Sequence, residues 1–537
     1  MEPTTTVKKR RRGILDWVEI IGNALPDPAT LFLIGAFIVM VVSAIAAYAQ
    51  WESVLTDDAG NVVLQAQATN LLGSEGLRWF AENVIKMFVE FRPLGLVLVA
   101  AIGIAVAEKS GFIAAALKTT LLVVPSSLLT PATFFMGVMS SMAVDAGYIV
   151  LPPLAAALYK AVGRSPLVGL AAVFAGVAAG FNANLFITGL DPLLSGLTEE
   201  AAHIIDRDYN VNPACNWWFM IASTFVITFT GWGVTRWIVE PRMNKRSAAE
   251  GGPGSLGDGD ETMSLTPDKT EVKGLLVAGV VMVLTIAAIV ACVVIPGMPL
   301  YDAPDTVGPG KARPFATWIG VIVPLLILLF FFPGLAYGIV VKTIRNDRDV
   351  VRMMSEYMSG LGNYIVLAFF AAIFVKFFEH SGLGQMLAIE GGTYLQEIGL
   401  PTWALMVGFI VLVGFINMFV GSMSAKWAML AVVFVPMLMQ VGISPELTQA
   451  SYRIGDSVTN SISPLNPYIV VVLMFMRQYV KKAGIGTLIS LMLPYSIAFF
   501  VIWTAMLVVW IGFGWTLGID APLDYTLPGL EAATPAP

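Results

Sequence analysis

Runs of apolar residues long enough to cross a lipid bilayer recur from one end of this chain to the other. A helix needs about 20 such residues to span the hydrocarbon core. Spans are predicted near 28–50, 92–109, 167–200, 213–239, 274–296, 316–341, 360–380, 446–478 and 486–514. These runs lack the polar faces that helices of a water-soluble protein keep toward solvent. Only 13% of the 537 residues are charged, against about 25% in a soluble domain. The expected fold is therefore an all-α integral membrane protein with about nine transmembrane helices. Its first partner is the lipid bilayer.

Two further apolar stretches, 131–161 and 401–442, carry polar interruptions and are predicted as re-entrant hairpins. Segments 112–128 and 383–398 are weaker and lead into them. Lysine and arginine placement orients the chain, because cytoplasmic loops are richer in both. With the basic N-terminus inside (Lys8, Lys9, Arg10, Arg11, Arg12), the model of alternating spans puts Arg242, Lys245, Arg246, Lys269 and Lys273 inside. Lys342, Arg345, Arg348, Arg352, Lys481 and Lys482 fall on the same side. Residues 51–77 have no Lys or Arg, 201–212 have only Arg207, and Lys311 with Arg313 is the one outside pair. The pattern holds only if each hairpin enters and leaves on one side, the first from the cytoplasm and the second from outside.

The organisation expected is a basic N-terminus (1–27), a first half (28–240), a cytoplasmic linker (241–273), a second half (274–515) and a periplasmic tail (516–537). Residues 247–268 are rich in Gly, Ser, Asp and Glu, the composition of a flexible linker. The net charge of −6 argues against nucleic acid as a partner. Two cysteines, Cys215 and Cys292, and two distant histidines, His203 and His380, make neither a disulfide framework nor a zinc site. No phosphate-binding G-x-x-x-x-G-K-[ST] loop and no H-E-x-x-H occurs, so neither an ATP-driven pump nor a zinc hydrolase is expected.

The halves repeat one order of elements. Ser141-Met142-Ala143, Pro153-Leu154 and Val162-Gly163-Arg164-Ser165-Pro166 are echoed by Ser422-Met423-Ser424, Pro436-Met437 and Val441-Gly442-Ile443-Ser444-Pro445. Downstream, Asn184 to Pro192 parallels Thr459 to Pro467. Each half thus gives a hairpin and then a helix broken near 167–200 or 446–478. An inverted repeat of this kind marks a binding site near the membrane midplane. Unwound backbone inside a bilayer is tolerated only where protein or water satisfies it, and freed carbonyls with Asn, Ser and Asp make an oxygen shell for a cation. In the first half that shell draws on Ser140, Ser141, Asp145, Asn182 and Asn184. In the second it draws on Asn417, Ser422, Ser424, Asp456, Asn460 and Ser463.

Ionisable residues at membrane depth are costly and point to function. Asp145, Asp191, Arg453 and Asp456 stand out. Arg453 and Asp456 are three apart and share a helix face. They either neutralise one another or serve a substrate carboxylate and a coupling ion. Asp191 and Asp145 also suit helix caps. Trp427 either packs or stacks on an aromatic substrate, and Lys426 either binds an anion or reaches outward to the interface.

The segments GSMSAKWAML and ASYRIGDSVTNSISPLNP, with SSMAVDAGYIVLPPL and FNANLFITGLDPLLSG, resemble the AbgT family of bacterial transporters. The resemblance covers nearly the whole chain. It implies nine transmembrane helices, two re-entrant hairpins and a bowl-shaped homodimer in the bacterial inner membrane. It implies transport of p-aminobenzoyl-glutamate, p-aminobenzoic acid or sulfonamide antimetabolites. The family's functional positions fall on Asp191, Ser424, Trp427, Arg453, Asp456 and Pro464, and Asn417 with Asp456 is similar to its cation site. The expectation is a secondary carrier of a small aromatic carboxylate with no bound cofactor. Arg453 would take the carboxylate, Trp427 the ring and Asp191 the polar end. Asp456 would couple transport to Na⁺ or H⁺, the ion shell adding Asn417, Ser422, Asn460, Ser140, Ser141 and Asn184. A sodium-coupled dicarboxylate carrier is the main alternative, an ion channel a lesser one.

Overall fold

The computed structural model describes residues 26–56, 60–142, 146–255, 268–303 and 316–528. The basic residues before 26, Asp145, Lys311 and Arg313 lie outside them, as does most of the acidic linker. The chain opens with helix α1 (Pro28–Tyr48). Asp27 caps it by accepting from Ala29 N at 2.9 Å. A two-stranded antiparallel hairpin follows, β1 (Glu52–Thr56) and β2 (Val62–Gln67), an addition to the expected all-helical fold. Next come α2 (Ser74–Val89) and α3 (Arg92–Lys109), then α4 (Phe112–Val123). Pro93 starts α3, where a missing N–H costs nothing.

The first hairpin is α5 (Leu129–Met139), a tip starting at Ser140, and α6 (Leu151–Ala161). Ser140 and Ser141 hydroxyls donate back to the Gly137 and Val138 carbonyls at 2.6 and 3.1 Å, which helps end α5. Helix α7 (Pro166–Phe174) continues through a wider turn to Ala179, and the chain unwinds until α8 (Leu190–Ala202). Helix α9 (Trp217–Val234) crosses back, and α10 (Lys269–Val294) and α11 (Ile322–Val341) follow. Polar helix α12 (Asp347–Gly360) leads into α13 (Gly362–His380) and α14 (Leu383–Ile398). The second hairpin is α15 (Thr402–Asn417), a five-residue tip and α16 (Met423–Gln440). Helix α17 (Pro445–Val458) is capped by Ser444, which accepts from Leu447 N at 3.1 Å. The chain unwinds again before α18 (Ile469–Tyr479), and α19 (Ile485–Gly512) ends the bundle.

Among the described residues, eight helices are long and apolar enough to cross a membrane, or nine if a pair bent by 117° is one span. They are not the same nine that hydropathy suggests. Arm α16 qualifies by length, whereas 167–200 and 446–478 each divide into two short helices.

Each hairpin begins and ends on one face. Thr130 at the start of the first accepts from Tyr159 and from Arg164, each at 2.9 Å, and Arg164 also pairs with Glu240 past the end of α9. At the other end of α9, the chain after α19 folds back, with Phe219 N donating to Leu517 O and Ile519 N to Ala214 O. That same tail bonds Gly442 and Ser444 at the base of the second hairpin. The hairpins therefore enter from opposite faces.

Glycines allow each hairpin to approach its broken helix. A Cβ on Gly137 would lie 3.0 Å from Val173 O, and one on Gly455 would lie 2.7 Å from Ile410 O. Both obstacles are backbone, which cannot step aside as a side chain would. Gly455→Ala is expected to lower stability by about 1–3 kcal/mol. Gly279→Ala, whose Cβ would meet nothing within 4 Å, is the control. Thermal unfolding of the detergent-solubilised proteins checks this, and equal midpoints would count against the tight contact.

Candidate functional site

Helix α17 is polar, yet all of its residues are buried. Glu446, Gln449, Arg453 and Asp456 recur at helical spacing along it. Burying such groups is costly unless each is paired. The pairing is made with the first half of the chain and with the second hairpin.

Arg453 and Asp456 do not bond one another. Arg453 Nη2 meets Asp191 Oδ1 at 2.6 Å. The other oxygen of Asp191 accepts from the Thr188 backbone N at 2.6 Å and from its hydroxyl at 2.9 Å, which fixes the carboxylate at the start of α8. Asp456 Oδ1 meets Lys426 Nζ at 2.7 Å. Its Oδ2 accepts from Asn182 Nδ2 at 3.0 Å. Two ion pairs thus cross between α17 and its neighbours, and the four charges sum to zero.

The unwound segments supply the remaining partners. Asn182, in the first break, also bonds Ser457 Oγ at 2.8 Å and Arg453 O at 3.2 Å. Asn417, at the second tip, donates to Asp456 O at 2.6 Å and to Thr459 Oγ1 and Asn460 Oδ1 at 2.8 Å each. Ser463 donates to Asn417 O at 3.2 Å. Asn184 donates to Ser141 at 2.7 Å, joining the first break to the first tip. Tyr148 of the first hairpin stacks on Tyr468 of the second break, with centroids 3.9 Å apart and planes within 3°.

Trp427 is fully buried. Its ring stacks on Tyr452 at 4.4 Å, and its Nε1 donates to Thr198 at 3.0 Å. It supports the site from behind and presents no open face for a ligand ring. Phe186 and Trp217 instead line a narrow cavity beside Asp191 and Arg453. That cavity holds about 10 Å³, room for roughly one water. Arg453 and Asn182 line it, and Arg453 Nε and Asn182 Oδ1 are buried without a hydrogen-bond partner among the described residues. Ser141 and Leu190 are shared with a larger vestibule of about 510 Å³, whose far wall holds Glu108, Lys109 and Glu356.

The residues from 13 to 525 match the model of the AbgT putative transporter family. The chain belongs to the AbgT transporter family. It is 38% identical to the p-aminobenzoyl-glutamate transport protein of Escherichia coli (strain K12) over 504 residues, covering 94% of this chain and 95% of that relative. The solved Alcanivorax borkumensis YdaH transporter is 40% identical, with a TM-score of 0.83, covering 92% of this chain and 100% of that one. Neisseria gonorrhoeae MtrF, described with a class of antimetabolite efflux pumps, is 42% identical with a TM-score of 0.86, covering 95% and 100%. An AbgT chain is a multi-pass membrane transporter and not an enzyme.

Against that background, most residues singled out from sequence converge. Asp191, Arg453, Asp456, Asn417 and Asn460 lie in the connected network described above, and Asn184 with Ser141 lines the cavity beside Asp191 and Arg453. Pro464 lies in the second break. Ser422 caps α16, and its hydroxyl is 3.4 Å from that of Ser424. Neither serine has a recorded bond to Asp456. Ser140 stands apart, its hydroxyl spent on its own helix. Sequence reasoning missed Tyr452, whose hydroxyl donates to Met423 O at 2.6 Å and lies 3.3 Å from Asp456 Oδ1. It also missed Thr198 and Gln449, bonded to one another at 2.6 Å behind Trp427. A polar residue at the period of Arg453 and Asp456 was the available signal for Gln449.

Proposed function

We propose that this AbgT chain is a secondary transporter of the p-aminobenzoate-type aromatic carboxylates p-aminobenzoyl-glutamate and p-aminobenzoic acid, and of the sulfonamide antimetabolites that share their p-aminophenyl shape. The observation that carries the reading is the buried Arg453, which lines the cavity, is held by Asp191 across the two halves, and keeps its Nε without a hydrogen-bond partner among the described residues. A guanidinium fork suits a carboxylate. The substrate carboxylate takes the place at Arg453 that Asp191 holds here, and Asp191 turns to the polar or amine end. Phe186 and Trp217 are the rings placed to pack on an aromatic ligand, while Trp427 keeps Tyr452 in position.

Na⁺ or H⁺ drives the cycle through Asp456 and Asn417. The two breaks and two tips form inverted halves that rock against a scaffold, the mode expected for such repeats. The protein works as a homodimer in the bacterial inner membrane with its N-terminus in the cytoplasm. On that orientation the vestibule beside Glu356 faces inward.

Counterflow of labelled p-aminobenzoate in proteoliposomes tests the substrate. Sulfonamides and p-aminobenzoyl-glutamate are expected to compete at least about tenfold better than succinate, because the site holds one fork and flat ring walls. Competition by succinate alone would replace this reading with a dicarboxylate carrier. Separately imposed Na⁺ and H⁺ gradients identify the driving ion.

A further inference from the structure

Lys426 neither faces a substrate cavity nor reaches toward the membrane surface. It is fully buried one turn into α16. An ammonium has three donors, and here they meet three oxygens. One is Asp456 Oδ1 at 2.7 Å, one is Asn417 Oδ1, and one is the Val420 carbonyl at 3.3 Å. A carboxylate, an amide oxygen and a backbone carbonyl freed at a helix end form the oxygen shell that a hard monovalent cation takes at a broken helix. The same shell is filled by a cation of the chain itself.

We infer that Lys426 is the resident cation of the Asn417–Asp456 site, and that an external cation binds there only by displacing the ammonium, which stays charged and swings out with the hairpin tip. The inference rests on reading that pair as the coupling-ion site. Its force comes from charge balance. The charged groups around Lys426 are Asp456 and Arg453 of α17 and Asp191 at the start of α8, with the phenol of Tyr452 beside Asp456. With Lys426 in place the cluster is neutral, and a net charge buried at this depth is heavily penalised. The displaced ammonium keeps its charge and stays beside the site at the hairpin tip, so an added cation alone leaves the site one charge positive, and an added carboxylate alone leaves it one charge negative. Only both together restore neutrality. The empty carrier and the doubly loaded carrier are therefore the two forms suited to reorient, and Lys426 is what makes the empty one neutral.

The probe is Na⁺, read by its effect on the unfolding temperature of purified full-length protein, with no flux required. Wild type is expected to be stabilised weakly by Na⁺ alone and more strongly when p-aminobenzoate is also present. Lys426→Gln is expected to respond to Na⁺ without substrate, at a concentration about tenfold lower or less, since a tenfold shift reflects about 1.4 kcal/mol of lost competition. Lys426→Arg keeps the charge and is expected to keep the weak response to Na⁺ alone. An unchanged Na⁺ midpoint in Lys426→Gln overturns the inference. Should that variant not fold, strong stabilisation of wild type by Na⁺ alone overturns it just as well. A wild type that moves no aromatic carboxylate defeats the substrate reading and leaves the Na⁺ titration to judge Lys426 by itself.

Discussion

Arg453→Ala is expected to lower p-aminobenzoate flux by about 100-fold or more, equivalent to roughly 2.7 kcal/mol of lost binding. The side chain is buried, and its one recorded ionic partner is Asp191. Removing one member of a buried pair leaves the other charge uncompensated, at a cost of about 3–5 kcal/mol. The variant thus loses both the group that would take the carboxylate and the counter-charge of Asp191. These effects are separable. Arg453→Gln combined with Asp191→Asn removes both charges and is expected to recover folding stability without recovering flux. Arg453→Lys keeps the charge but not the planar fork, and its flux should fall between the two. Flux of Arg453→Ala within about twofold of wild type, a difference of only about 0.4 kcal/mol, would remove Arg453 from the substrate site.

Asp456→Asn is expected to abolish accumulation against a gradient. It strands the Lys426 ammonium, whose one recorded ionic partner is Asp456, and stability should fall by about 3–5 kcal/mol. Asp456→Asn joined to Lys426→Gln replaces the ion pair by two neutral amides. This double variant should regain most of the lost stability and none of the accumulation. Unfolding midpoints and gradient-driven uptake, measured on the same preparations, check both halves of the expectation. Accumulation by Asp456→Asn at the wild-type level under both Na⁺ and H⁺ gradients would assign the coupling elsewhere.

The hairpins and helix breaks were legible in the sequence because a bilayer penalises polar groups and unwound backbone unless a partner satisfies them. Serines at 140, 141 and 422, and asparagines at 182, 184, 417 and 460, each interrupt an apolar run. Elements without such a run were not legible by hydropathy. The strands of the 52–67 hairpin, amphipathic α2 and polar α12 all fall into that class. Partner choice was also hidden. Arg453 and Asp456 are one helical turn apart and look like a local pair, but each finds its charge elsewhere. Arg453 reaches a carboxylate 262 residues away in sequence, and Asp456 reaches a lysine on the second hairpin. Local spacing reports a shared face; it does not report which other helix that face meets. Trp427 shows the same limit from the other direction, since nothing in its neighbours Lys426 and Ala428 says that Tyr452 covers its ring.

A helix that is buried along its whole length has no idle side. On a lipid-facing helix such as α10, one apolar residue exchanges for another with little consequence, because the hydrocarbon around it is indifferent to shape. Every position of α17 instead borders on protein, and its neighbours include the ion pairs, both unwound segments and the second hairpin. Such a helix offers evolution few places to drift. Relatives with different cargo are therefore free to vary the cavity walls contributed by other helices, around a shared charged axle.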